Sequence, residues 1–329
     1  MIWTPLHDRL HRTLRQRQLL PKNNRILIAV SGGQDSLCLA KLLLDLRSKW
    51  HWQLGIVHCN HRWRKDSAAN AAHVEKLANS WELPYSQKQA TIVVKSEAAA
   101  RQWRYETFSK LALEKEYSIV VTGHTLSDRA ETLLYNLIRG AGADGLQSLT
   151  WRRSLVEGVH LVRPLLEIDR LQTGQFCQEQ QLPIWEDSTN QDVHYARNRI
   201  RHELLPYLQT HFNSGVEANI AKTAELLRAD VEYLESQAQE LLDRSIARNP
   251  SILPLHLDRR ILRQAPLALQ RRAMRQVLAT ILPCAPTFEQ IEKLVALISA
   301  PNQSRTDPFP GGAIAEVEGN SSALNPLDP

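Results

Sequence analysis

The 329-residue sequence predicts an α/β fold, a doubly wound parallel sheet followed by a smaller helical domain. Three observations lead there. Short apolar runs rich in β-branched residues alternate with helical patterns over the first two thirds of the chain. The first run is followed by a Gly-Gly turn, Ser31-Gly32-Gly33-Gln34-Asp35-Ser36, that opens a helix. Beyond about residue 207 the alternation gives way to long helical patterns. At this length two domains are expected, divided as 1–206 and 207–329.

Ile2, Leu6, Leu10, Leu14 and Gln18 recur at steps of four, which gives a helix over 2–20 leading into the first strand. Ile26 to Val30 reads as a strand covered on both faces. Leu37, Leu39, Ala40, Leu42, Leu43 and Leu46 form the apolar face of the helix after the glycine turn. Leu54 to His58 is a second strand, and residues 66–82 a helix with Asp66 as N-cap. Thr91 to Val94 is expected as the third strand, 97–116 as a helix, Tyr117 to Val121 as the fourth strand and 127–139 as the next helix. Gly140, Gly142 and Gly145 mark a flexible loop, Leu161 to Leu165 a last strand, 169–181 a helix and 182–196 a polar loop. Helices follow over 215–247, 266–282 and near 287–299, before a turn-rich end with one hairpin over 302–324.

Hydrophobic residues make up 43% and charged residues 23%, ordinary for a globular protein, and no apolar run is long enough to span a membrane. Met1 to Lys22 lacks the apolar core of a signal peptide, so a cytoplasmic location is expected. Cys38, Cys59, Cys177 and Cys284 include no C-x-x-C pair, which excludes a zinc pattern or a redox dithiol and suits a reducing compartment. A net charge of +5 permits a polyanionic partner.

Strand, glycine turn and helix N-terminus together make an anion site, because free backbone N–H groups and the helix dipole face the turn. The Walker A spacing and its Lys are missing, and so is the dinucleotide fingerprint. Asp35 facing a phosphate needs a cation between them. Ser-Gly-Gly-x-Asp-Ser after a strand resembles the PP-loop of the N-type ATP pyrophosphatases, a Rossmann-like fold. The resemblance implies ATP cleaved between its α- and β-phosphates, held by Ser31, Gly32, Gly33, Gln34, Asp35 and Ser36.

Other clusters fall at the strand ends, where such sheets bind ligands. His58, Asn60, His61, Arg62 and Arg64 crowd the end of the second strand, as loop histidines or as groups meeting a nucleotide. Glu97, Arg101 and Tyr105 share one helix face, a spacing that a simple surface ion pair would also give. After the fourth strand come His124, Asp128 and Glu131. The two acids project from one side of a first helical turn, which fits either N-terminal capping or a Mg²⁺ site. Arg197 and Arg201 share a face opposite Ile200, Leu204 and Leu205, and suit contact with phosphate or carboxylate.

Taken together, V-H-x-N-H-x-x-R, E-x-x-A-R-x-x-R-Y, T-G-H near D-x-x-E-T, R-G-x-G-x-x-G-L, R-P-L-L and E-D-x-[ST]-N followed by R-N-x-I-R-H-x-L-L-P resemble the bacterial tRNA(Ile)-lysidine synthase family over roughly residues 25–206. The resemblance implies that ATP adenylates the C2 carbonyl oxygen of the wobble cytidine, after which the amine of free L-lysine displaces AMP. It implies catalytic roles for Asp35, Arg101, His124, Asp128, Glu131 and Arg197, and ATP contacts from His58, Asn60 and Arg64. It also implies Mg²⁺ on Asp35, Asp128 and Glu131, and tRNA contacts from Arg201 and His202. The partners are an isoleucine tRNA with a CAU anticodon and lysine; whether the enzyme forms a homodimer is left open. Thr125, Ser127 and Arg129 depart from the family's G-H-H-x-D-D-Q-x-E-T, so one of two adjacent acids is lost and a second ion is less expected.

No acid lies between Arg259 and Phe288, while Arg259, Arg263, Arg271, Arg272 and Arg275 do, which predicts phosphate contacts along a tRNA stem. The chain resembles the short form of the family. The alternatives are another PP-loop enzyme, such as a tRNA thiolase or an amidotransferase synthetase, or a non-catalytic ATP- or RNA-binding module. The thiolase would want paired cysteines and the amidotransferase a glutaminase domain.

Overall fold

The computed structural model describes residues 3–62, 66–91, 96–185, 192–246 and 255–325. It divides into two compact units, Met1–Glu225 and Leu226–Pro329.

In the first unit six strands form one sheet in the order β3-β2-β1-β4-β6-β5. They are β1 (Arg25–Ala29), β2 (Gln53–Asn60), β3 (Tyr85–Gln89), β4 (Ile119–Thr122), β5 (Arg152–Val156) and β6 (Val159–Val162). All neighbours pair in parallel except β5, which runs antiparallel to β6. Helices cover both faces, as the unbroken apolar run of β1 requires. Ile26 and Ile28 pack with Leu10 and Leu14 of α1 (Pro5–Gln16) and Leu39 and Leu43 of α2 (Gln34–Trp50). Leu27 points the other way, into a cluster with Val57, Phe108, Leu111 and Val120. The doubly wound α/β prediction holds. Strand order reverses beside β1, so a crevice opens between the ends of β1 and β4.

The connecting helices are α3 (Ser67–Ser80), α4 (Glu97–Glu114), α5 (Leu126–Ile138), the short α6 (Ala143–Leu146) and α7 (Arg170–Glu179). Then α8 (Ala196–Arg199), a π-helical turn (Ile200–Leu204) and α9 (Leu205–His211) run on without a break, before α10 (Val216–Ser245). Three expectations are corrected. The third strand is Tyr85–Gln89; of the expected Thr91 to Val94, residues 92–94 lie outside the described residues. As an edge strand it needs no apolar run. β5 was not expected, because its Arg-Arg-Ser start is exposed at the other edge. Asp66 occupies the N-cap of α3 but makes no capping bond; its carboxylate accepts from Trp185 Nε1 at 3.2 Å.

The second unit holds the rest of α10, β7 (Leu255–Asp258), α11 (Arg259–Gln264), α12 (Leu267–Ile281), α13 (Phe288–Leu297), β8 (Ile314–Glu318) and β9 (Ser321–Asn325). Its core joins Leu241, Leu262, Met274, Leu278, Leu294 and Val317. The unit is mainly helical, as expected, and the single expected hairpin becomes an antiparallel three-stranded sheet in the order β7-β9-β8. Among the described residues no helix is long and apolar enough to cross a membrane.

Candidate active site

The glycine turn lies in the crevice between β1 and β4. Gly33 caps α2 without a side-chain bond, which leaves the first N–H groups of that helix to a ligand. Gly32 adopts φ +92, a conformation that favours glycine, and its carbonyl accepts from the Trp185 N–H at 2.9 Å. The Ser31 and Ser36 hydroxyls are 3.1 Å apart, and Ser36 donates to the Gly33 carbonyl at 2.8 Å, so the loop is internally braced. Asn70 of α3 donates to the Ser31 carbonyl at 3.0 Å, while its buried Oδ1 has no partner among the described residues. Opposite, Gly123 lets β4 approach α2: a Cβ there would lie 2.7 Å from the Asp35 carbonyl.

Asp35 stands in the first turn of α2. Its Oδ2 accepts two bonds from Arg170, at 2.8 and 3.1 Å, and its Oδ1 one from Thr173 at 2.5 Å. Gln34 points beside it, donating to the Arg170 carbonyl and Thr173 hydroxyl of α7. Burial raises the Asp35 carboxyl above its ordinary range and nearby Asp128 adds to the shift, against the pull of Arg170.

The capping and metal-site readings of Asp128 each describe one of its oxygens. Oδ2 caps α5, accepting from the Thr125 N–H at 2.8 Å and hydroxyl at 2.9 Å. Oδ1 faces Arg197 and Arg201 at 3.6 Å each and Arg170 at 3.8 Å. Glu131, 1% exposed, has both oxygens taken: Arg201 donates at 2.6 and 2.8 Å, and Arg197 at 3.2 Å. Burial disfavours the Asp128 charge, but Arg170 and Arg197 outweigh it and hold the carboxyl below its ordinary range. His124, whose Nδ1 is 2.8 Å from the Thr122 hydroxyl, is pushed down to about 3 by burial and by Arg163, Arg197 and Arg101. It is a neutral imidazole at pH 7.

At the end of β2, His58 is buried with Nδ1 2.9 Å from the Val30 carbonyl, and the Asn60 amide joins the Arg62 N–H to the Ser67 carbonyl. Both shape the wall of the crevice. His61 packs edge-on against Trp103 and is lowered to about 4, by burial first and then by Arg104 and His58. Arg64 and residues 186–190 of the E-D-x-[ST]-N motif lie outside the described residues. His61 and His124 set a pH dependence. As pH falls through 6.5 the unfolded imidazoles take up protons while the folded ones resist, so stability present above 6.5 is expected to decline toward pH 4. Raised Asp35 has the opposite sign and acts toward the acid end of that window. Urea midpoints at pH 7.5 and 5.0 check this; equal midpoints would refute it.

Both arginines of the Glu131 cluster come from the broken-register helix. The Leu205 N–H bonds the Ile200 carbonyl, five residues back. Pro206 explains the wide turn, since it has no N–H for the His202 carbonyl and its ring would clash with it in an α-helix. Ile200 and Leu205 are buried against Ala130 of α5, which seats the turn on the helix carrying Glu131. Pro206→Ala is expected to restore α-helical register, leave the fold stable and lower turnover about tenfold by misplacing Arg201. Unchanged kcat in steady-state assays would show that the wide turn is incidental.

A family profile described as the PP-loop domain matches residues 5–208. A tRNA(Ile)-lysidine synthase from a Nostoc species is 63% identical, over 97% of this chain and 96% of that one. One from a Synechocystis species is 50% identical over 97% of each chain. The chain belongs to the tRNA(Ile)-lysidine synthase family. It is therefore an ATP-binding ligase. A U34-tRNA thiolase from Methanococcus maripaludis superposes with a TM-score of 0.57 at 18% identity, covering 68% of this chain and 78% of that one, which shows the shared fold.

The chain absorbs its departures from the family motif locally. Thr125 closes the capping box of α5. Ser127 accepts from the Arg170 N–H at 3.3 Å and donates to Glu217 at 3.0 Å. Arg129, 3% exposed, pairs with Glu225 at 2.6 Å. Residue reading along the chain missed Arg170, Thr173 and Asn70, which brace the loop. Arg170 carried a faint signal, a cation in the first turn of a helix, where the dipole disfavours it.

For Mg²⁺ the donor chemistry fits two of the three expected ligands. Asp128 Oδ1 accepts no hydrogen bond among the described residues, and Asp35 Oδ1 accepts only from the neutral Thr173 hydroxyl, so each keeps an oxygen to which no guanidinium donates. Glu131 does not fit, because two guanidiniums occupy it; it anchors Arg197 and Arg201 instead. No group of three His, Cys, Asp or Glu is arranged for a metal among the described residues.

The expected tRNA contacts also need correction. Arg259 is 2% exposed and donates to the Ile298, Gly319 and Ala300 carbonyls, so it is a core group and cannot reach a phosphate. Arg272 and Arg275 both donate to Glu235, and Arg271 to Glu292 at 2.7 and 3.0 Å. Arg201 is committed to Glu131. His202 and Arg263 are exposed, with Arg263 also donating to the Ile298 carbonyl at 2.7 Å.

Proposed function

We propose that this chain joins L-lysine to C2 of the wobble cytidine of an isoleucine tRNA bearing a CAU anticodon, giving lysidine, AMP and diphosphate and changing codon reading from AUG to AUA. The observation that carries this reading is the meeting of Asp35, Asp128 and Arg170 at the ends of β1 and β4, beside free N–H groups of α2, in a member of this family. Ser31, Gly32, Gly33, Gln34 and Ser36 line the turn that receives the departing pyrophosphate. Mg²⁺, when bound by Asp35 and Asp128, offsets phosphate charge. Arg101 and Arg197 stabilise the anionic oxygens at the adenylated C2. Neutral His124 offers an uncharged ring nitrogen to the transferring group, and His58 and Asn60 hold the crevice wall. Residues 1–206 carry catalysis, while 207–329, with His202 before it, contact the tRNA through exposed cations such as Arg263. Both substrates are expected in the cytoplasm.

The test is incubation with ATP, Mg²⁺, labelled lysine and a CAU isoleucine tRNA transcript. Label in the tRNA with matching AMP is expected. AMP and label both absent would refute the reading, and label in a methionine tRNA with the same anticodon would refute its specificity.

A further inference from the structure

Two peptide groups of the glycine turn are held from one side. The Ser31 carbonyl accepts from the Asn70 side chain at 3.0 Å, and the Gly32 carbonyl from the Trp185 N–H at 2.9 Å. Both holders are themselves fixed. Asn70 is 4% exposed on α3, and Trp185 is tied to the same helix. Its Nε1 donates to Asp66 at 3.2 Å, and its ring lies 5.5 Å from that of His73. His73 Nε2 donates in turn to the Pro183 carbonyl at 2.7 Å, just before Trp185. The side chains close over Gly32: a Cβ there would lie 2.5 Å from Asn70 Oδ1, 3.3 Å from Trp185 Cβ and 3.4 Å from Val74 Cγ2.

An asparagine is a costly way to fill this space. Its Oδ1 is buried without a partner among the described residues, whereas an apolar side chain of similar volume would leave nothing unsatisfied. What Asn70 supplies in return is the bond to Ser31. In a planar trans peptide the C=O and the N–H point in opposite directions, so fixing a carbonyl also fixes the N–H of the next residue. The Ser31 and Gly32 carbonyls face Asn70 and Trp185, and the Gly32 and Gly33 N–H groups therefore face away from them. The Gly33 N–H is accordingly directed at Ser31 Oγ, 3.3 Å away, on the side where that hydroxyl meets Ser36 of α2. Glycine on both sides of the Gly32–Gly33 peptide removes the steric barrier that would otherwise oppose a flip of that group. A flip would put a carbonyl oxygen where an N–H had been, and a bound anion would be repelled.

We propose that Asn70 and Trp185 are positioning residues that hold the Ser31 and Gly32 carbonyls off the leaving pyrophosphate and keep the N–H edges of the turn toward it. This rests on the proposed function, which names the anion. Neither side chain touches the substrate; each acts through the backbone of the turn. Helix α2 supplies the N-terminus at which the anion sits, and α3, through Asn70 and the Asp66 and His73 contacts to Trp185, sets the polarity of the loop in front of it.

The test is calorimetric binding of inorganic pyrophosphate and, separately, of AMP to the full chain with Mg²⁺, beside steady-state kinetics. Asn70→Leu is expected to raise the pyrophosphate Kd and the ATP KM by roughly tenfold, while the AMP Kd and the lysine KM stay within about twofold. Its thermal midpoint should hold, because the same change removes the unpartnered Oδ1. Asn70→Asp keeps the shape and loses the donor, so it should weaken pyrophosphate at least as much, and it carries the test if leucine is not accommodated. Trp185→Phe keeps the backbone N–H but loses the Asp66 bond, and a rise of roughly threefold in the pyrophosphate Kd is expected; no rise would remove Trp185 from the bracket. Unchanged pyrophosphate affinity in the Asn70 variants would overturn the proposal. Equal losses for pyrophosphate and AMP, with a lowered midpoint, would overturn it in favour of a purely structural role. A wild type that binds no pyrophosphate would overturn it as well. If pyrophosphate binds and responds as expected but no lysine enters the tRNA, the proposed function fails and the bracket stands.

Discussion

Asp35→Ala is expected to lower formation of AMP by about a thousandfold while tRNA binding persists. The carboxylate lies at the N-terminus of α2, one residue from the serine that closes the turn, and receives Arg170 and Thr173 on its two oxygens. Removing it takes away the acid that both fixes Arg170 and offers oxygen to a cation. The fold should survive, because Arg170 keeps Asp128 at 3.8 Å and Glu131 at 4.0 Å. Asp35→Asn separates charge from shape: it retains an acceptor for Thr173 yet cannot hold a cation. Pyrophosphate release measured in both variants decides the matter. Near-normal release by Asp35→Asn would mean that the charge is not needed, and normal release by both would favour a site elsewhere.

Glu131→Gln should weaken both stability and activity, for a different reason. Glu131 is 1% exposed and gathers two guanidiniums whose side chains are 25% and 18% exposed. Breaking a buried ion pair strands the partner charges, at about 3 kcal/mol when the partners keep some access to water. Turnover should fall about a hundredfold, since Arg197 and Arg201 lose the group that aims them. Urea unfolding at pH 7 and single-turnover kinetics measure the two effects. A metal ligand would behave otherwise: stability within about 0.5 kcal/mol of wild type with a raised Mg²⁺ requirement would return Glu131 to that role.

The difference between these residues is also one of legibility. Asp35 could be read because its chemistry is contiguous, an acid two residues beyond a Gly-Gly turn that ends a buried strand. The same holds for β1, β2 and β4, whose apolar runs are required by helices on both faces. β3, with Tyr-Ser-Gln-Lys-Gln, could not be read that way, since an edge strand is held by backbone pairing to β2. Arg170, 135 residues from Asp35, became part of the site only when α7 packed beside α2.

The C-terminal arginines make the same point in reverse. The stretch from Arg259 to Phe288 is free of acids in sequence, which suggests an uncompensated basic face. In the fold, Glu235 reaches Arg272 and Arg275 from α10, Glu292 reaches Arg271 from α13, and backbone carbonyls enclose Arg259. The sequence alone determined the alternation that makes the sheet, the turn that receives phosphate and the family to which the chain is similar, because each depends on neighbours along the chain. Only the tertiary structure decided which charges remain available. A guanidinium or carboxylate acts on a ligand only when no closer counter-charge takes it, and those counter-charges lie tens to hundreds of residues away.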